Sequence, residues 1–201
     1  MQRKLATPDC KLLAEGGFSM VELLIAISIS AILLAMAIPS FTSFLNSNRV
    51  TSQANELLAN FQVARLESIR RGARVVVCGS GNANAVVPTC STGTSWSGWI
   101  AFVDANRDNT FATSDGDTLL SVNALSGVTA TASTNVDAAV VFRPDGLART
   151  TGGNLLLGKV SLCIATTTPL ENARDVTFTT GGGSLRVDKR NASASCTAPS
   201  N

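Results

Sequence analysis

One carboxylate, Glu22, stands inside the run MVELLIAISISAILLAMAI at positions 20–38, which is otherwise apolar except for Ser28 and Ser30. An ionised acid buried in such surroundings without a partner costs on the order of several kcal/mol, so Glu22 demands a cation. Cleavage between Gly17 and Phe18 would create one, because the new α-amine of Phe18 lies at about the right depth, in the same chain or in a neighbour. A second set of oxygen-bearing side chains, Asp104, Asn106, Asp108 and Asp115 in DANRDNTFATSDGD, matches the first, third, fifth and twelfth positions of a calcium loop. Asn109 stands where the sharp-turn glycine belongs, and Asp115 is shorter than the usual bidentate glutamate. A solvated hairpin loop explains the composition equally well.

Other chemistry is excluded by what the chain lacks. It contains no histidine, which removes the usual general base, the commonest zinc ligand and any Ser/His/Asp or Cys/His arrangement. Gly79-Ser80-Gly81 reads as a loop with no base at hand, not a nucleophile elbow. No enzyme activity and no cofactor are expected. The formal net charge of +2 creates no strong field over the whole molecule. Of five cysteines, Cys10 lies in a polar N-terminal stretch, and Cys78, Cys90, Cys163 and Cys196 are spread over the rest without a C-x-x-C pair. Two disulfides and an oxidising compartment fit this spacing better than zinc. Cys78–Cys90 would clip a loop and Cys163–Cys196 would tie the tail to a strand, with the two other pairings still open.

These residues need elements to position them. The run 20–38 is long enough to cross a bilayer as a helix. Arg3, Lys4 and Lys11 precede it, so the positive-inside rule sets the N-terminus in the cytoplasm and the bulk of the chain outside, the side the disulfides require. Gly16-Gly17 comes before the apolar run, the reverse of a secretory cleavage site. Beyond Pro39, Phe41, Phe44, Leu45, Val50, Ala54, Leu57, Leu58, Phe61 and Ile69 recur at helical spacing, which predicts a helix that packs a head along that stripe and ends at Gly72. Arg65, Arg70, Arg71 and Arg74 cluster near its C-terminal end, where cations suit the macrodipole. Strands are predicted at 74–78, 98–104, 118–122, 138–143, 159–165, 174–179 and 184–187, with Trp96 and Trp99 read as core or strand-edge residues rather than a ligand-stacking pair. The fold class is α+β: a long N-terminal helix, half transmembrane and half amphipathic, packed against a small antiparallel β-sheet head.

The segment GFSMVELLIAISISAILLAMAIPSF resembles the class III signal of type IV pilins and type II secretion pseudopilins. The resemblance implies that prepilin peptidase cuts after Gly17 and N-methylates Phe18, that Glu22 directs assembly, and that Pro39 bends a continuing helix. It also implies four segments: a leader at 1–17, a filament-core helix at 18–39, an amphipathic helix at 40–72 and a head at 73–201. The order strand, Cys, loop, Cys, W-x-G-W-I-x-F-x-D, acidic turn and F-R-P-D-G is similar to H-type pseudopilins and FimT/FimU-like minor pilins. Expected partners are other pilins or pseudopilins, the prepilin peptidase/methyltransferase and the bacterial inner membrane, with the head in the periplasm. Some FimT-like pilins carry a G-R-x-R motif implicated in DNA capture, and Gly183-Ser184-Leu185-Arg186 lacks one of its arginines. Arg186, Lys189 and Arg190 still offer three phosphate-contacting cations, with Asp188 offsetting one, against the reading of a solvated strand end. Three uses follow: a minor pilin at fibre initiation or the tip, an H-type pseudopilin in secretion, or an anchored binding module that never polymerises.

Overall fold

The computed structural model describes residues 17–201, apart from the side chains of Met36, Ala37 and Pro39. The predicted leader up to position 16, with Arg3, Lys4, Cys10 and Lys11, lies outside the described residues. The chain divides into two compact units, 1–40 and 41–201.

One helix, α1 (Met20–Arg71), runs through both units and continues through Pro39 without interruption. Ser19 starts it: its hydroxyl accepts the Glu22 N–H at 3.4 Å and its carbonyl accepts the Leu23 N–H at 3.1 Å. Ser19-x-x-Glu22 is the sequence of a capping box. Within the first unit the helix exposes apolar side chains all round. Ser28 and Ser30 donate to the carbonyls of Leu24 and Ala26 at 2.7 Å, so both hydroxyls are satisfied inside the helix. At the other end Gly72 has φ +60°, its N–H donates to Ile69 O, and the Ala73 N–H donates to Ser68 O. This pair of bonds closes the helix as a Schellman motif, which needs the left-handed residue that glycine supplies.

The second unit holds ten strands in two five-stranded antiparallel sheets. The first sheet has the order β4-β3-β1-β6-β7, from β1 (Val75–Gly79), β3 (Gly98–Val103), β4 (Thr118–Ala124), β6 (Ala139–Phe142) and β7 (Ala148–Arg149). The second has the order β10-β9-β8-β5-β2, from β2 (Ser95–Trp96), β5 (Thr129–Ala132), β8 (Gly158–Cys163), β9 (Ala173–Thr179) and β10 (Ser184–Arg190). The buried stripe of α1 is Val50, Ala54, Leu57, Phe61, Ala64 and Ser68. Phe61 joins the sheets: its ring lies 6.3 Å from Phe142 on β6 and 4.9 Å, edge-on, from Phe178 on β9.

β1 is buried along its whole length, which is why VVVC reads as a continuous apolar run. Val75 and Val77 join the core shared with α1, while Val76 and Cys78 join a second cluster with Ile100, Phe102, Phe111 and Val141 on the other face. Trp96 and Trp99 are core residues, and the indole of Trp96 occupies the space that a side chain at Gly79 would need. Disulfides join Cys78 to Cys90 and Cys163 to Cys196.

The stripe differs from the sequence expectation at both ends. Phe41, Phe44, Leu45 and Ile69 are exposed. At about 100° per residue, Phe41 sits about 180° around the helix from Val50, nine positions on, and Ile69 is about 80° off the Phe61 direction. Ser68 fills the buried place and donates to Arg143 O at 3.0 Å. β5, β2 and β7 were not expected from the sequence: β5 is TATA, whose small Ala130 and Ala132 face the core, with Ala130 opposite Trp96.

Three outcomes are expected. Phe61→Ala should lower unfolding free energy by about 3–5 kcal/mol in chemical denaturation, because it opens a cavity between two sheets. Loss of Cys163–Cys196, which closes a separation of 33 residues, should destabilise by about 1 kcal/mol more than loss of Cys78–Cys90, which closes 12. Glu67 receives hydrogen bonds from Arg70 and Arg71, which draw its carboxyl from 4.5 down to about 2. A depressed carboxyl pKa stabilises the fold above the unfolded value, and that contribution is lost as pH falls from about 4.5 through about 2. Carboxyl NMR titration should therefore find Glu67 protonating near pH 2, and Arg70→Gln should move the midpoint back toward 4.5.

Candidate functional site

The first unit holds Gly17, Phe18, Glu22 and Pro39, the residues that the sequence marks out for processing and assembly. A side chain at Gly17 would meet no atom within 4 Å among the described residues, and Phe18 is 79% exposed. Glu22 lies in the first turn of α1, where the helix dipole favours a negative charge. The capping hydroxyl of Ser19, which the sequence reading overlooked, is signalled by the S-x-x-E spacing. By length and composition α1 is apolar enough to cross a membrane, with a mean hydropathy of 2.5 over its most apolar stretch. Pro39 lies inside α1, and its side chain is one of those not described.

In the second unit α1 buries one apolar stripe. On the opposite side two groups of apolar side chains are exposed, Phe41, Phe44 and Leu45 near its start and Val63 and Leu66 near its end, with exposed Asn48, Ser52, Asn55 and Glu56 between them. The first group clusters three large apolar side chains on a surface that water would oppose.

The acidic loop is organised by hydrogen bonds to the protein itself. Asp104, buried, accepts the N–H groups of Arg107 and Asn109 and pairs with Arg74 Nε at 3.2 Å. Asp108 accepts the Thr110 N–H, which with the Asn106 amide holds its carboxyl below the usual range. The Asn106 amide nitrogen sits between Asp108 and Asp115 at 2.9 and 3.0 Å, presenting a donor where a cation would need an oxygen. Asp117, absent from the sequence reading, braces the loop by accepting the N–H groups of Ala105 and Ala112. Among the described residues no group of three or more His, Cys, Asp or Glu is arranged to hold a metal ion. Asp104, Asn106, Asp108 and Asp115 thus lie in a loop braced by its own hydrogen bonds.

The tail cations are also differently disposed from the sequence reading. They lie on β10, which extends to Arg190, so Arg186 and Arg190 point to one side of the sheet and Lys189 to the other. Arg190 pairs with buried Asp175 at 2.8 Å and also donates to Ser161 Oγ and Thr197 O, which fastens the segment after the last disulfide. Arg186 pairs with Asp188 at 2.9 Å, and Lys189 lies 3.7 Å from Glu171. The three cations do not form one phosphate-facing surface. Asn172, buried, adds to the fastening by donating to Ile164 O and Ser193 O and accepting the Ala192 N–H. Arg174 is a further residue the sequence reading did not single out. It is buried, feels the charge of Glu171 without an ion pair among the described residues, and donates to Ser47 and Thr51 of α1 and to the carbonyls of Glu171 and Ala173. Its burial pushes the guanidinium pKa down.

The model of the family described as type II transport protein GspH matches residues 53–195, and that of the prokaryotic N-terminal methylation motif matches residues 13–38. Two crystal forms of the type IV minor pilin FimU of Pseudomonas aeruginosa are similar to the chain, at 14% and 15% identity. They cover 69% and 72% of this chain and 91% and 92% of the FimU chain, with TM-scores of 0.46 and 0.48. No curated protein sequence matches at a significant level. The family is one of structural subunits, not enzymes. A match from 53 to 195 takes in well over half of 201 residues, with a methylation motif over the apolar helix, and the chain belongs to the family described as type II transport protein GspH.

Proposed function

We propose that the chain is cut between Gly17 and Phe18 and methylated on the new amine of Phe18. It then waits in the bacterial inner membrane as a single-pass protein, with residues 18–39 in the bilayer and the head in the periplasm. From there it enters a fibre through its N-terminal helix. In the fibre Glu22 meets the Phe18 amine of a neighbouring subunit, and Pro39 lies in the helix that the neighbours grip. The observation that carries this reading is a lone carboxylate in the first turn of α1, near the start of a stretch, 20–38, that is otherwise apolar apart from Ser28 and Ser30 and whose described side chains are exposed. Such an acid in apolar surroundings fixes position by accepting only a correctly placed cation.

The uncovered apolar side chains of Phe41, Phe44, Leu45, Val63 and Leu66 support the same reading, since a simple anchor has no use for them outside the bilayer. A role at fibre initiation or the tip suits a minor subunit. The description of the matched family as a type II transport protein favours a second reading, in which the fibre is the pseudopilus of a type II secretion system. DNA is a weaker partner on this reading, because the cations of β10 are paired within the head.

Intact mass spectrometry of native protein should find loss of residues 1–17, one added methyl group and the deficit of two disulfides. Glu22→Ala should stay in the membrane fraction and be absent from sheared fibres. A chain retaining Met1, or normal incorporation of Glu22→Ala, would overturn the proposal.

A further inference from the structure

Outside the surfaces considered so far, the head has a concave site of about 290 Å³ at the end of α1, lined by Gly72, Ala73, Arg74, Arg107, Arg143 and Pro144. Three of its six lining residues are arginines, and none is acidic. The arginines come from three separate segments: the chain leaving α1, the 104–117 loop and the turn between β6 and β7.

Arg74 is set into the wall, its side chain 16% exposed, with Nε on buried Asp104 and Nη2 on Asn109 Oδ1. Asp104 also accepts the Arg107 N–H at 2.7 Å, so a single acid positions both residues. Arg107 and Asn109 have φ of 68° and 66°, a region that side-chain-bearing residues seldom adopt, and the Asp104 bonds hold them there. The Arg143 backbone is fixed by the Ser68 hydroxyl and the Gly146 N–H, both donating to its carbonyl. Among the described residues, the guanidinium groups of Arg107 and Arg143 make no hydrogen bond and no ion pair, although both raise the potential felt by Arg74.

The acids nearby are engaged elsewhere. Asp108 is hydrogen-bonded to Thr110 and Asn106, and Asp145 to Arg149 and the Leu147 N–H, although Asp108 still feels the charge of Arg74 and Asp145 that of Arg143. The helix end would by itself repel an anion, but the Ser68 and Ile69 carbonyls are taken by the Schellman bonds. Arg107 and Arg143, two like charges bordering one hollow and held by no hydrogen bond or ion pair among the described residues, are complementary to an anion that presents oxygens in several directions, whereas Arg74 already has Asp104 as its counter-ion. A carboxylate is planar and is satisfied by the fork of one guanidinium, whereas a phosphate has oxygens for both.

We infer that this hollow is a phosphate-binding site, in which Arg107 and Arg143 close on the oxygens of a phosphate group in front of Arg74, which Asp104 and Asn109 hold in the wall. The inference does not depend on assembly into a fibre. The shared chemistry is the phosphate group, taken either as free phosphate or from a phosphodiester chain.

Isothermal titration of the full chain in an uncharged detergent at low ionic strength, with inorganic phosphate as the probe, should give saturable one-to-one binding. Arg107→Gln combined with Arg143→Gln should weaken it by about tenfold or more, since each residue provides a charge-assisted bond. The melting temperature without phosphate should be unchanged, because neither guanidinium holds the fold together. Absence of saturable binding, or equal affinity in the double variant, would overturn the site. A second arm with single-stranded oligothymidylate distinguishes the sources: displacement of phosphate that disappears in the double variant identifies a phosphodiester, and no displacement identifies free phosphate.

Discussion

The contact of Phe61 with Phe142 and Phe178 holds the head together, because it lies where two sheets and a helix meet. Neither sheet is a closed barrel, and each has an inner face that water would oppose. The stripe of Val50, Ala54, Leu57, Phe61 and Ala64 supplies the cover for both. Burying a side chain such as Leu57 or Phe61 is worth about 1.5–3 kcal/mol, so the helix segment contributes a large share of a stability that is always a small difference between large terms. The head therefore includes the helix from Phe41 onward, and a boundary drawn at the first strand would cut through its core.

That packing leaves a second demand unmet. A helix with a buried stripe should turn polar residues outward, yet Phe41, Phe44, Leu45, Val63 and Leu66 face away from the core. Apolar surface of this kind is stable only when something apolar covers it. The same logic holds in the first unit, where exposed aliphatic side chains surround α1 and the two serines are bonded back to carbonyls in the preceding turn. Within each unit, the sequence of α1 is written for neighbours beyond the chain.

Much of this is legible from residue order alone. Helix, head and the strand runs at β1, β3, β6, β8 and β9 follow from hydrophobic period and turn residues, and S-x-x-E and Gly72 mark where α1 begins and ends. The misses have physical causes. Phe41 and Ile69 look like members of the core stripe until the angle per residue is followed, and an apolar residue does not announce which apolar neighbour it serves. β5 escapes because its alanines are chosen to be small beside Trp96, so hydrophobicity gives no signal. In the acidic loop, spacing alone does not reveal that side-chain amides and backbone N–H groups bond the carboxylate oxygens.

The basic residues carry the same lesson about charge. In sequence Arg190 looks like a surface cation and Arg74 like a helix-end cation. In the fold Arg190 binds the tail to buried Asp175, and Arg74 is tied to buried Asp104. A guanidinium can be buried because its donors reach several acceptors at once, as Arg174 does with two hydroxyls and two carbonyls. Net charge therefore says little about where an anion would find purchase. What matters is which guanidinium groups the fold has already satisfied, and by that criterion the electrostatic focus of the head moves from the paired cations of β10 to the unpaired Arg107 and Arg143 beside the end of α1.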